Sequence, residues 1–504
     1  MLLQLLLLLP AVRATFTYGT AASQDLLPAC DTEVLCNGIM CADVCRDGTI
    51  SVPSWLTWAL DFQRNLTRAR SFSLGPHLGT HNALISRTNG FGLEEDFASL
   101  LYSMAGPSAA ATHVRIPNQR HGLLDLLALG VRHVEYDIWD VPDGTGNFSV
   151  HLCHSPVPDP LEVAALEEAA LALHLPPLAW NPLLSLCSNL TLEWAMRSTK
   201  AWLEAHPTEF IGAYLDNRVA PWNADLITAT LQSVWGDALL TPGDFRTLFN
   251  GTRGGLLPSR DALLAAGKRL YVESNSYLTS NFTPTSLASV AFYPPTWEAA
   301  WFGGGQPGPQ DLTPFPNCTL AGLPATWYGS LWPRLLDSGD LAQSPAEEAE
   351  GGLVLQPVGV SDLVACGVNT IGMADVGLDT ARAAVWSWAE GQPVAGAGGC
   401  AAMVQVRGRW GALPCETPLP VLCVRGSNAV APLGAEAGAW NLTAGVGGGG
   451  VPWAQGGAAC SAAGGGQWQM ALPRDGRENA VAAQLALLGG VWGKWPGVWL
   501  NFQL

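Results

Sequence analysis

GTHNALIS (79–86), HVEYDIWD (133–140) and HLCHSPVPDP (151–160) decide how this chain folds, and the middle stretch decides most. In HVEYDIWD, Val134, Tyr136 and Ile138 alternate with His133, Glu135 and Asp137, the period of a strand with two unlike faces. Glu135 and Asp137 therefore project from the same side. A solvated acidic face on an edge strand would show the same spacing, but the apolar alternation suits burial. Buried neighbouring carboxylates repel, and a divalent cation or an arginine is the usual remedy. Asn82 adds a neutral oxygen, and His81 and His154 are side chains that titrate near neutrality. Such a set suits acid–base chemistry beside a metal.

Working outward, EFIGAYLDNR (209–218), KRLYVES (268–274) and VNTIGMADV (368–376) read as further strands, each ending in polar residues. FGLEEDFASLLYSMAG (91–106) and LITATLQSVWGDALL (226–240) read as helices. Repeated βα units predict a parallel sheet flanked by helices. Polar groups at strand C-termini suit the catalytic face of a TIM-type barrel. Periodicity alone leaves an open α/β sheet equally open. All nine histidines fall between His77 and His206, so histidine chemistry belongs to the first half of this region.

The THN turn, the V-E-x-D-x-W-D strand, the C-H-S turn and the strand ending at Asp216–Asn217, in that order, resemble the catalytic X region of phosphatidylinositol-specific phospholipase C. The resemblance is strong over about residues 70–220 and weaker to about 380. It implies an α/β fold with a TIM-type (β/α)8 barrel, regular or distorted. It also implies a phosphoric diester hydrolase of phospholipase C-like type, with His81, His154, Glu135 and Asp137 as catalytic residues. His154 takes the place of the general acid, and His81 that of a phosphate contact. Asn82, Glu135, Asp137 and Asp216 match the metal-dependent members, with Ca2+ preferred and Mg2+ the alternative cofactor; bacterial members place an arginine where calcium sits. Arg218 and Arg115 are expected phosphate contacts, with Arg132 a further candidate. His133 and His151 are expected to be structural and solvated, respectively. The implied substrate is a phospholipid or other phosphodiester, met by peripheral membrane contact, and the hydroxyl beside the phosphorus is the implied nucleophile. Glycerophosphodiesterase-like and spider-venom, sphingomyelinase D-like enzymes are the alternative within phosphodiesterases. A catalytically degenerate secreted binding protein is the alternative from another class.

The net charge of −17 argues against nucleic acid as a partner and gives no attraction to anionic lipid without calcium bridging. Residues 1–14 (MLLQLLLLLPAVRA) read as a signal peptide and place the chain in the secretory pathway, secreted or lumenal. Twelve Cys agree with that compartment. Four of them crowd into a Cys-rich segment spanning 15–55, where the spacing favours disulfides over zinc. Seven N-x-S/T sequons suit a glycoprotein. The barrel is expected over 56–380, followed by a disulfide-stabilised, Trp/Gly-rich and β-rich module over 381–504. In this module AVWSWAEGQP through PVLC resembles the closing half of a C-type lectin-like domain. The segment from VPWAQGG to GREN resembles the opening half, placed second. No sugar-binding Glu-Pro-Asn or Gln-Pro-Asp triplet is present, because Val394 follows Gln392-Pro393. The module is therefore expected to bind a protein partner or serve structure rather than bind a glycan.

Overall fold

The computed structural model describes residues 29–36, 41–93, 118–154, 187–251, 256–274, 285–292, 313–318, 335–337, 357–368, 370–394, 396, 398–425, 439–445, 448–464 and 466–504. The expected signal peptide, Arg115 and most of the expected helix at 91–106 lie outside the described residues.

A disulfide-closed hairpin comes first: β1 (Thr32–Cys36) and β2 (Cys41–Cys45) pair antiparallel, held by Cys30–Cys45 and Cys36–Cys41. The disulfide expectation for this segment holds. The main sheet follows: β3 (His77–Thr80), β4 (Val131–Pro142), β5 (Phe148–Cys153), β6 (Cys187–Thr191), β7 (Ile211–Asn217), β8 (Leu239–Leu240), β9 (Leu270–Ser274), β10 (Leu335–Asp337) and β11 (Thr370–Met373). Seven of these form a parallel path in the order β10-β11-β3-β4-β7-β9-β8. β5 returns antiparallel on β4, and β6 pairs with β5. The last parallel strand, β11, lies beside the first, β3, as a barrel requires.

Closure is where the structure departs from the expected barrel. Among the described residues the path ends at β8 and β10, which do not pair with each other. β8 has only two residues, too few ladder bonds to carry the sheet onward. The fold is a mixed α/β arrangement on a parallel, barrel-like sheet that is not closed.

Helices α1 (Ser54–Leu66), α2 (Leu123–Ala128), α3 (Leu192–Ala205) and α4 (Ala224–Trp235) belong to this region, together with α5 (Pro242–Phe249), α6 (Arg260–Ala265), α7 (Pro357–Ala365) and α8 (Leu378–Ala384). Thr191 begins α3 by accepting a hydrogen bond from Trp194 N, and the Thr241–Asp244 capping box begins α5. The alternation in β4 works as expected. Val134 and Ile138 are fully buried in the main apolar core, and Tyr136 is buried beside them with its hydroxyl 3.1 Å from Thr199 Oγ1 of α3. His133, Glu135 and Asp137 take the opposite face. Gly212 of β7 is required there: a Cβ would come within 2.6 Å of the Tyr271 ring and 2.9 Å of the His133 ring.

The C-terminal unit is a six-stranded sheet of β12 (Cys400–Met403), β13 (Trp410–Leu413), β14 (Val421–Arg425), β15 (Trp440–Thr443), β16 (Trp468–Met470) and β17 (Val498–Gln503). Helices α9 (Gly456–Ala463) and α10 (Gly476–Leu488) and the disulfides Cys400–Cys415 and Cys423–Cys460 complete it. One continuous apolar core runs from Leu56 of α1 to Leu500 of β17. Buried Gln63 accepts hydrogen bonds from Trp386 N, Ser387 N and Ser387 Oγ and donates to Ala384 O. Phe62 packs edge-on against Trp388, Trp410 and Phe502. Arg70 pairs with Asp475 and Glu478 of the C-terminal unit at 3.0 and 2.7 Å.

Candidate functional site

The C-terminal ends of β3, β4 and β7 gather the motif residues. β3 stops at Thr80, and the chain turns through His81 and Asn82. This turn is fastened on both sides: His81 N donates to Met373 O of β11, and Ala83 N donates to Glu135 O of β4. Asn82 sits at φ 47°, in the left-handed region that asparagine tolerates better than most residues. Its side-chain amide donates to Asn118 Oδ1 at 3.3 Å, which fixes the orientation of its oxygen. That oxygen, Asn82 Oδ1, is buried and has no hydrogen-bond partner among the described residues. His81 Nδ1 is buried in the same condition.

β4 presents Glu135 and Asp137 two residues apart, and both are buried. Parallel pairing with β7 sets Asp137 directly beside Asp216, and Glu135 beside Tyr214. Paired residues on adjacent strands stand about 4.8 Å apart, so Asp137 and Asp216 are neighbours. β5 then brings the chain back along β4, and His154 follows its last residue. His154 Nε2 lies 3.8 Å from Asp137 Oδ2, with about a quarter of the His154 side chain exposed. Cys153, one residue earlier, is disulfide-bonded and buried and lies opposite Cys187 in the β5–β6 ladder, which anchors this strand end.

Arg218 is more than half exposed and reaches back to Asp216, with Nη2 at 3.1 Å and Nε at 3.3 Å from Oδ2. Arg132 is placed elsewhere. It is the second residue of β4, five positions before Asp137, and its side chain bonds Glu209 at 2.9 Å at the opposite end of the sheet. Five residues of strand span about 16 Å, so Arg132 is no phosphate contact for this site. His133 is fully buried between strands, and burial, with His77 adding to it, pushes its pKa down to about 3; it is a neutral packing group. His151, expected to be solvated, is partly buried, with Nε2 2.8 Å from Ser149 Oγ.

Four further positions contribute, Gln119 and Asn118 from outside the quoted stretches and Asp375 and Glu273 from within them. Gln119 Nε2 donates to both His81 O and Met373 O at 2.7 Å, and its Oε1 accepts from Val376 N. It thereby locks the His81 turn to the end of β11. Asn118 orients Asn82, as above. Asp375, at φ 56°, pairs with Arg120 at 2.7 Å. Glu273 of β9 is buried beside Tyr214 in the strand register, so Tyr214 separates it from Glu135. The polar run Asn118-Gln119-Arg120-His121 was the available sign in the sequence.

Donor chemistry at this end fits a hard divalent cation: a buried, unsatisfied amide oxygen beside carboxylates. Among the described residues no three His, Cys, Asp or Glu side chains gather tightly enough to hold a metal ion. Nor is any described helix long and apolar enough to cross a membrane.

No family model matches the chain. Uncharacterized proteins from two strains of Mycobacterium tuberculosis are each 27% identical to it over 470 residues, which covers 87% of this chain and 79% of theirs. Among solved structures, the phosphatidylinositol-specific phospholipase C of Listeria monocytogenes aligns over 65% of this chain and 97% of its own, at 12% identity and a TM-score of 0.34. A double mutant of the Staphylococcus aureus phosphatidylinositol-specific phospholipase C aligns over 66% and 98%, at 11% identity and the same TM-score of 0.34.

Proposed function

We propose that this chain is a secreted phosphoric diester hydrolase of phospholipase C-like type, acting on a phosphodiester that carries a neighbouring hydroxyl. One observation carries this proposal: His154 at 3.8 Å from Asp137, at the strand end where Asp137 and Asp216 pair in register and the His81–Asn82 turn is bonded to β4. An acid, a base and an oxygen-rich surface at the C-terminal edge of parallel strands make a hydrolytic site.

The substrate's own hydroxyl attacks phosphorus and passes its proton to Glu135. The bond to the leaving alcohol breaks, which leaves a cyclic phosphodiester, and His154 protonates the departing oxygen; water then opens the ring, giving a proton to His154 while Glu135 returns its proton to the ring oxygen. Asp137, with Oδ2 3.8 Å from His154 Nε2, stands within ion-pair range of the imidazolium that protonates the departing alcohol. His81 donates to a phosphate oxygen and stabilises the charge that develops there. A calcium ion, if bound, would be held by Asn82, Glu135, Asp137 and Asp216, and would supply positive charge to the phosphate.

A metal-free arrangement is the second proposal, and Arg218 favours it. Its guanidinium already neutralises Asp216 and stands at the rim, where a phosphate would meet it. Cleavage of a water-soluble phosphatidylinositol analogue, with calcium and then with EGTA, separates the two. Release of inositol phosphate that stops on chelation supports the metal set. Release that survives chelation supports Arg218. No release under either condition removes the phosphatidylinositol proposal and leaves another diester or a binding role.

A further inference from the structure

The His81 imidazole is held through its main chain. Its Nδ1 is buried and has no hydrogen-bond partner among the described residues, so the backbone, rather than a bond at Nδ1, sets where the ring stands. That backbone lies just past the ladders. β3 ends at Thr80, which pairs with Met373 of β11 on one side and Val134 of β4 on the other. Beyond these rungs His81 N still donates to Met373 O, but the His81 carbonyl takes its donor from a side chain.

Gln119 supplies that donor. The side chain is fully buried, and its amide meets three main-chain groups at once. Nε2 donates to His81 O and Met373 O, each at 2.7 Å, and Oε1 accepts from Val376 N at 3.0 Å. Its own main chain is tied to the far side of the same turn, with the N–H donating to Ile85 O at 3.1 Å and the carbonyl accepting from Arg87 N at 2.9 Å. Asn118 grips beside it. Its Oδ1 accepts from Asn82 Nδ2, and its carbonyl accepts from Asp375 N at 2.6 Å. Asn82 and Asp375 both sit at positive φ, 47° and 56°, a conformation that persists where the surroundings over-determine it. One dipeptide therefore holds both strained residues and the His81 carbonyl.

A buried amide that closes main-chain groups is usually structural, and Gln63 is that case here, bonded to Ala384, Trp386 and Ser387 where α1 meets the C-terminal unit. Gln119 differs in what it holds. We propose that Gln119, with Asn118, is a positioning residue for the reaction, keeping the His81 ring and the Asn82 oxygen where a phosphate meets them. Neither needs to touch substrate. Their role rests on the hydrolytic function proposed above.

The test compares Gln119→Leu with Gln63→Leu in the full chain. Each removes a buried amide and lowers the urea midpoint. Gln119→Leu should also lower kcat for the phosphatidylinositol analogue by about 10²-fold, with KM within about threefold, because small misplacements of reacting groups cost rate rather than binding. Gln63→Leu should keep its kcat. Wild-type kcat in Gln119→Leu, or an equal fall in both variants, would overturn the proposal. Nuclear magnetic resonance of 13C-labelled histidine gives a reading that needs no turnover. In Gln119→Leu the His81 ring signal, assigned by its loss in His81→Ala, should shift or broaden, while that of His206, just past α3, stays in place. An unmoved His81 signal would also overturn it. If the wild type does not cleave the analogue, the hydrolytic function fails, and the ring signal alone decides whether Gln119 positions His81. If Gln119→Leu does not fold, Gln119→Glu takes its place, since it keeps the shape and the acceptor for Val376 N.

Discussion

His154 Nε2 stands 3.8 Å from Asp137 Oδ2, beyond hydrogen-bond reach but within ion-pair range. β5 makes this possible by returning antiparallel along β4, pairing Ile138 with Leu152, so residues 17 apart in sequence meet at one strand end. The disulfide at Cys153 fixes that end without using His154 itself. His154→Ala should therefore fold normally and lose roughly 10²- to 10⁴-fold in turnover of a phosphatidylinositol analogue, the usual contribution of a general acid. Retained turnover at the wild-type rate would remove His154 from the chemistry.

Asn82 separates backbone from ligand effects. At φ 47° a glycine keeps the conformation at little cost, whereas alanine adds strain of about 1 kcal/mol. Asn82→Gly removes the unsatisfied oxygen and leaves the turn intact. Its expected outcome is an unchanged fold with calcium affinity at least tenfold lower, read by calorimetry. Equal calcium binding in Asn82→Gly and wild type would exclude Asn82 as a ligand.

The strand HVEYDIWD and its two-faced pattern were legible because a period of two is a local property, and Val134, Tyr136 and Ile138 are all buried as that period requires. The strands at 211–217, 270–274 and 370–373 were legible as short apolar runs ending in polar residues, and they are buried almost throughout. What was hidden depends on distant pairings. Arg132 was a candidate phosphate contact, yet the strand that holds it and Asp137 carries those two side chains toward opposite ends of the sheet. Gln119, which locks the His81 turn, reaches Met373 across 254 positions of chain, and no local pattern announces a bond of that reach. Barrel closure failed as an expectation for a related reason: it depends on strand order at the sheet edges, which periodicity does not encode.

Gln63 ties α1 to the start of the C-terminal unit with four hydrogen bonds from one buried amide. Gln63→Leu keeps the volume but strands two backbone N–H groups, a hydroxyl and a carbonyl. Each unsatisfied buried group costs about 1–3 kcal/mol. The expected result is a fall in stability of about 3 kcal/mol or more in urea unfolding, with the near-ultraviolet signal of Trp386, Trp388 and Trp410 lost first. A change below about 0.5 kcal/mol would mean that these groups find water instead.

Asp47 gives the fold a pH dependence of definite sign. Its Oδ1 accepts hydrogen bonds from Leu124 N at 2.9 Å and Asp125 N at 3.1 Å, capping α2 from the disulfide hairpin side. Burial pushes its pKa up from 3.8 to about 6, and the adjacent Asp125 carboxyl adds to the rise, outweighing the backbone donors. The folded chain thus holds a proton that the unfolded chain has released between those two values. Stability from this group is full at or below about pH 4, falls as pH rises to about 6, and is level above that. The size of the effect is on the order of 2 kcal/mol. Asp47→Asn keeps the accepting oxygen and cannot ionise, so its advantage over wild type should be absent at pH 4 and complete by pH 7. Urea midpoints for both proteins across that range measure the difference directly, and parallel curves would show that Asp47 ionises in the folded protein as it does in the unfolded chain.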